Sequence, residues 1–174
     1  MTVEAERSEA SGRPGQPRHR ARESALQMLY QWEVGRIPID DVCARFWSES
    51  PIDPPADQDT RTFASHLAQG VVAHVADIDP QITEAADHWR LERMQVMDRL
   101  ILRLAVYEFQ FETDTPGKVI INEALELART FSADDSVRFI NGILDAIKRD
   151  LDEQQPQRNV QPEAEDSETD AADE

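Results

Sequence analysis

The chain has 174 residues, 40% of them apolar, with 18 Lys and Arg against 35 Asp and Glu for a formal net charge of −17. That length and apolar share suit one domain with an ordinary core plus tails, and no apolar run approaches the roughly 20 residues of a membrane span. A single cysteine, Cys43, excludes an internal disulfide and a typical thiolate zinc site, and the polar first stretch offers no signal peptide, so a cytoplasmic protein is expected.

Residues 1–16 carry Ser, Gly, Pro and mixed charge with almost no bulky apolar side chain, so a disordered N-terminal arm is expected there. A first helix is expected from about Arg18 to Val34, with Ala25, Leu29 and Trp32 on one face, Leu26 and Tyr30 beside them, and Gly35 as the stop. A short second helix follows Pro38 and packs Ile39, Val42, Cys43, Phe46 and Trp47. Prolines between Ser50 and Pro55 dictate a loop. A third helix, from about Asp57 to Asp77, uses Phe63, Leu67, Val71 and Val75, with Gly70 allowing a neighbouring helix to come close. Asp79-Pro80 then reads as the N-cap and first-turn proline of a fourth helix through Ile82, Ala86 and Trp89.

Met94 to Phe111 is the most apolar stretch, and its apolar residues wrap most of a helix circumference, which makes it the expected core helix. After the break at Thr113–Gly117 a helix is expected from about Lys118 to Phe131, with Ile121, Leu125 and Ala128 inward. Ser132 and Asp135 are spaced like a capping box and open a last helix to about Arg149, with Phe139, Ile140, Ile143, Leu144 and Ile147 inward. Within it Asn141-Gly142 reads as a packing pair, glycine admitting a neighbouring helix. The expected working domain is 17–150, followed by a disordered acidic tail over 151–174. No segment sustains a period of two, and neither an internal repeat nor a long heptad occurs, so the fold class is all-α.

No constellation for catalysis stands out. His19, His66, His74 and His88 lack the paired spacing of a helical zinc site, and His66 and His74 sit about 12 Å apart along a helix, too far for one ion. Six scattered glycines form no phosphate loop. Helix faces and caps account for acidic pairs such as Glu123 with Glu126 and Asp134 with Asp135. Neither an enzyme, a metal nor a cofactor is expected.

The net charge argues at first against nucleic acid, but its distribution is uneven. Arg13, Arg18, Arg20 and Arg22 gather near the start, while Glu163, Glu165, Asp166, Glu168, Asp170, Asp173 and Glu174 crowd the end. Arg18 and Arg22 are four apart and share a helix face, His19 adjoins it, and Arg20 points partly away. Guanidinium planes suit RNA because they clamp phosphate oxygens and stack on unpaired bases. On spacing alone, an RNA contact and a merely solvated helix end both stay open.

The stretch Arg18-His19-Arg20-Ala21-Arg22-Glu23-Ser24-Ala25-Leu26-Gln27-Met28-Leu29 resembles the arginine-rich opening of the NusB family. Asp98-Arg99-Leu100-Ile101-Leu102-Arg103-Leu104-Ala105-Val106-Tyr107-Glu108 is similar to that family's central helix. Ile121-Asn122-Glu123-Ala124 onward and Phe139-Ile140-Asn141-Gly142-Ile143-Leu144-Asp145 are similar to its last helix pair, so the likeness spans about 18–150. The resemblance implies a single domain of about seven helices in two packed subbundles. It also implies a non-catalytic adaptor that binds boxA-containing RNA together with NusE, a small ribosomal-subunit protein, in RNA polymerase antitermination complexes on ribosomal RNA operons. Carried over by position, the RNA-binding residues are Arg18, His19, Arg20, Arg22, Asp135 and Phe139, and the partner-binding residues are Tyr30 and Asp98. His19 departs from the family pattern, which often has Arg or Lys there, and implies weaker, more pH-sensitive electrostatics. A homodimer covering the partner surface stays open, as do a helical protein-interaction module without RNA and the related RNA-targeting module of ribosomal RNA methyltransferases. The last would require a Rossmann-like unit after Asp150, and none follows in this sequence.

Overall fold

Apolar residues at three- and four-residue spacing wind this chain into helices. The computed structural model describes residues 16–49, 55–87 and 89–154, and among those residues there are six α-helices and no strand. They are α1 (Gln16–Gly35), α2 (Ile39–Glu49), α3 (Gln58–Ala85), α4 (Val96–Phe111), α5 (Gly117–Phe131) and α6 (Asp134–Gln154), with one 3-10 turn at Leu91–Arg93 before α4. The expected arm up to residue 15, the tail beyond 154 and the proline loop up to Pro54 lie outside the described residues; Gln16, expected in the arm, opens α1, and α6 carries the chain four residues beyond the expected domain limit of 150.

The six helices form two groups. α1, α2 and α3 pack together, α4, α5 and α6 pack together, and α4 joins the groups by lying on both α1 and α3. The central placement of α4 follows from its composition: every residue from Leu100 to Glu108 is buried, as is Asp98. Ala21, Ala25, Leu26, Met28 and Leu29 of α1 close over it, together with Leu67, Ala68, Val71, Ile78 and Ile82 of α3. The last two helices contribute Ile120, Ala124, Leu127, Ile140, Leu144 and Ile147. Burying each such aliphatic side chain stabilises the fold by about 1.5–3 kcal/mol relative to leaving it in water.

Three local expectations are corrected. Asp79-Pro80 does not open a new helix; α3 runs unbroken through Pro80, so the expected seven helices become six. A proline inside a helix forfeits one backbone hydrogen bond, and two contacts hold the helix across it. Ile78 and Ile82 are fully buried on either side of Pro80, and Asp79, instead of capping, accepts 2.8 Å hydrogen bonds from both Nε and Nη2 of Arg103. Ser132 does not form a capping box: it ends α5, its N–H donating to the Ala128 carbonyl, and its buried hydroxyl has no hydrogen-bond partner among the described residues. Gly35 is the last residue of α1 rather than the turn beyond it, and the left-handed conformation falls on Arg36 at φ 53°.

Gly70 behaves as its position in the pattern suggests. A Cβ there would lie 2.2 Å from Cζ of Tyr107, so the tyrosine ring of α4 rests directly on the α3 backbone. Gly142 does not. Among the described residues nothing lies within 4 Å of its Cβ position and the residue is exposed, so it serves no helix contact among them.

Charged groups are concentrated where the two helix groups meet. Arg22 of α1 reaches Glu108 of α4, Glu33 of α1 reaches Arg99 and Arg103 of α4, and Arg103 continues to Asp79 of α3. Gln110 donates to Gln81 in the same seam, at 2.7 Å. Thus the interior of each group is mostly apolar, and ion pairs stitch the joint between them.

Candidate nucleic-acid interface

The first turns of α1 were expected to present four cationic or ionisable side chains together, and the structure sorts them by depth. Arg18 is exposed and lies over the Phe63 ring of α3, its Cζ 3.9 Å from the ring centroid. His19 is half-buried between two carboxylates, Nδ1 at 2.7 Å from Glu123 and Nε2 at 3.4 Å from Glu23. Arg20 is half-buried, and its charge acts on Asp57 at the start of α3. Arg22 is only 3% exposed.

Arg18 and Arg22 do share a helix face, as their spacing requires, but that face turns toward α3 and α4. One turn into the helix it has sunk into the bundle. Arg22 donates from Nε to both oxygens of Glu108 (2.9 and 3.1 Å) and from Nη2 to Oε2 (2.7 Å). Burial would lower the Arg22 pKa, but the hydrogen bond and charge of Glu108, with Glu123 and Glu112 nearby, outweigh it and hold the group above its usual value. For Glu108 burial is the largest influence and raises the carboxyl pKa, Glu112 and Glu123 push the same way, and Arg22 opposes them. Both Glu108 oxygens accept from N–H donors of Arg22, the pattern of a charge-assisted guanidinium–carboxylate pair. A guanidinium so clamped is not available to a phosphate, so the basic set nearer the surface at this end reduces to exposed Arg18 and half-buried His19 and Arg20.

Asp135 and Phe139 sit elsewhere. Asp135 is exposed in the first turn of α6, and Phe139, one turn on, is 38% exposed, so of the apolar residues expected inward on this helix Phe139 faces out. The start of α6 is tied to the start of α4, Ser136 Oγ donating to Asp98 Oδ2 at 2.8 Å. Asp98 and Glu108 are separated by about 15 Å along α4. The basic start of α1 and the Asp135–Phe139 turn therefore occupy opposite ends of α4, a span that a few extended nucleotides cover.

The two expected partner-binding residues divide as well. Tyr30 is 43% exposed, and Val34, one turn further along α1, is exposed beside it. Asp98 is buried, linking α4 to α6 through Ser136, and its second oxygen has no hydrogen-bond partner among the described residues. It presents no surface to a partner and acts as a joint. Phe63, Glu108 and Glu123 were not singled out in these roles. Glu108 had a readable cue, a carboxylate inside an otherwise apolar helix, whereas the approach of Phe63 to Arg18 joins residues far apart in sequence. The thiol of Cys43 is half-buried, 3.8 Å from the Met28 sulfur; burial pushes its pKa up and Asp40 adds to this, against a hydrogen bond from Ser65.

Among the described residues no helix is long and apolar enough to cross a membrane, and no group of three or more His, Cys, Asp or Glu side chains could hold a metal ion. Comparison with known proteins gives consistent matches. The model of the NusB family matches residues 19–149. Transcription antitermination protein NusB of Solibacter usitatus is 46% identical over 145 residues, covering 83% of this chain and 94% of that protein. The protein of the same name from Koribacter versatilis is 42% identical, covering 82% and 95%. Among solved structures, T. maritima NusB superposes with a TM-score of 0.69 at 34% identity, over 76% of this chain and 91% of that one. A structure of antitermination factors NusB and NusE in complex with dsRNA shares the fold, with a TM-score of 0.70 at 24% identity over 78% and 98%.

Proposed function

This chain belongs to the NusB family, and from that membership we propose that it is a transcription antitermination factor, a non-catalytic adaptor in the cytoplasm that binds boxA-containing RNA together with NusE during transcription of ribosomal RNA operons. The observation that carries this reading is the family match over 19–149, the segment to which the function is assigned. The exposed basic start of α1 supports it, since phosphate binding needs cations on the contact face and a chain of net charge −17 has few places to offer them.

In this reading Arg18, His19 and Arg20 meet the RNA at one end of α4, while Phe139 and Asp135 meet it at the other, Phe139 through base stacking. Arg22 supports the site from inside by fixing α1 on Glu108. Tyr30, with Val34 beside it, faces NusE, and Asp98 sets the position of the α6 start. The test is a titration of boxA RNA with and without NusE. Cooperative ternary assembly is expected, with a log-log salt slope of about −1.4 to −2 from two or three phosphate contacts on a single strand. Absence of RNA binding in the presence of NusE overturns the reading.

A further inference from the structure

Beside the arginine-rich start of α1, the first turn of α3 walls a cleft of about 600 Å³, within the range of small-ligand sites. Its lining includes the apolar residues Pro17, Ala21 and Phe63, and Arg18, also in the lining, is laid over the Phe63 ring. Arg18 is itself an exposed residue, and a guanidinium plane carries two faces, of which the Phe63 ring takes one. The same lining includes the carboxylates of Asp57 and Asp59. These carboxylates differ. Asp57 Oδ1 caps α3 by accepting from the Thr60 N–H at 2.7 Å, whereas Asp59 makes no hydrogen bond among the described residues.

A stacking plane beside an unengaged carboxylate suits an unpaired base whose edge consists of donors. Guanine has two adjacent donors, N1–H and the 2-amino group, which the two oxygens of one carboxylate accept together. Adenine and cytosine set an acceptor beside their single amino group, and uracil flanks its one N–H with carbonyls, so each meets a carboxylate with repulsion. We propose that this cleft holds an unpaired guanine of the bound RNA, stacked on Arg18 above Phe63 and read on its Watson–Crick edge by Asp59. The inference rests on the RNA-binding reading and gives that surface a base preference. It also gives a reason for a carboxylate on a face that meets phosphate.

The experiment compares single-stranded boxA-containing RNA with the same RNA carrying inosine, which lacks the 2-amino group, at every guanine. Anisotropy titrations use the full chain with saturating NusE. The unaltered protein is expected to prefer the guanine RNA by about fivefold to tenfold, and Asp59→Asn to abolish that preference by weakening the guanine RNA alone. Simple electrostatics has the opposite sign: loss of a negative charge tightens both RNAs equally, and that result overturns the proposal. Arg18→Lys keeps the charge but removes the plane, and is expected to weaken the guanine RNA about fivefold with the salt slope unchanged; unaltered affinity overturns the stacking assignment. If the unaltered protein binds both RNAs equally well, the cleft assignment fails and the RNA-binding reading stands. If it binds neither, both fall.

Discussion

One helical turn separates Arg18 from Arg22, yet the two side chains belong to different regions of the molecule. Arg22 lies in the seam between the two helix groups, clamped by Glu108 in an almost dry setting. Arg18 lies at the rim, stacked on Phe63 with its charge in water. The difference teaches that an arginine-rich motif entering a helix is two devices in series. The outer part is free to meet a ligand, and the inner part anchors the helix that carries it.

The sharpest way to break this comparison is to truncate each arginine. Arg22→Ala leaves Glu108 buried without its partner, and removing one member of a buried pair costs about 3–5 kcal/mol, read as a lowered denaturation midpoint. Arg18→Ala forfeits an exposed cation–π contact, about 0.5–1 kcal/mol, while weakening RNA binding. Equal stability losses in the two variants would mean that both arginines do the same work. Replacing Glu108 as well, in Arg22→Met with Glu108→Leu, should recover much of the loss, since apolar side chains of similar volume often substitute for a buried pair without penalty.

A second contrast lies between the apolar contact at Gly70 and the ion pairs along the seam. Gly70→Ala forces Tyr107 off the α3 backbone, a small-to-large change expected to cost about 1–3 kcal/mol by urea unfolding at any pH between 5 and 8. The Glu33 contribution is pH-dependent instead. Burial pushes the Glu33 carboxyl up, but the Arg99 hydrogen bond and the charges of Arg103 and Arg99 outweigh it and hold the pKa below the usual 4.5. A group depressed on folding stabilises above its unfolded value, and that gain disappears as pH falls through the folded value. Stability should therefore drop below about pH 4.5, and Glu33→Gln should flatten that part of the profile. A variant as acid-sensitive as the parent would locate the loss in other carboxylates.

How much of this was legible in the sequence follows from how far each cause lies along the chain. The apolar circumference of α4 and the close approach at Gly70 are local patterns, and both read correctly. The continuity of α3 through Pro80 was not readable, because the group that occupies Asp79 is Arg103, 24 positions on in the next helix. The depth of Arg22 depends on Glu108, 86 positions on. Its cue was present in a different place from where the motif drew attention: Arg103 and Glu108 are charges embedded in an apolar run, which requires buried partners. Of the candidate site, residue types and helix face were legible, whereas exposure was not, since spacing fixes which residues share a face but not what that face meets.

The smallest expected effect tests the outer region alone. Gly142 occupies the interior of α6 with nothing within 4 Å of its Cβ position among the described residues, so no contact among them needs glycine there. Glycine in a helix interior costs about 0.5–1 kcal/mol relative to alanine, because its unfolded backbone has more freedom to lose. Gly142→Ala should then raise stability by that amount, the reverse of Gly70→Ala, although both replace a helical glycine. Phe139 and Asp135 lie on the same stripe of α6, at spacings of three and seven residues. If the alanine variant is more stable in urea yet assembles less well with RNA and NusE, the glycine keeps that stripe low for a ligand. If stability does not rise, Gly142 has a structural duty within the folded chain, and the separation of an anchored interior from an unencumbered outer face fails at this position.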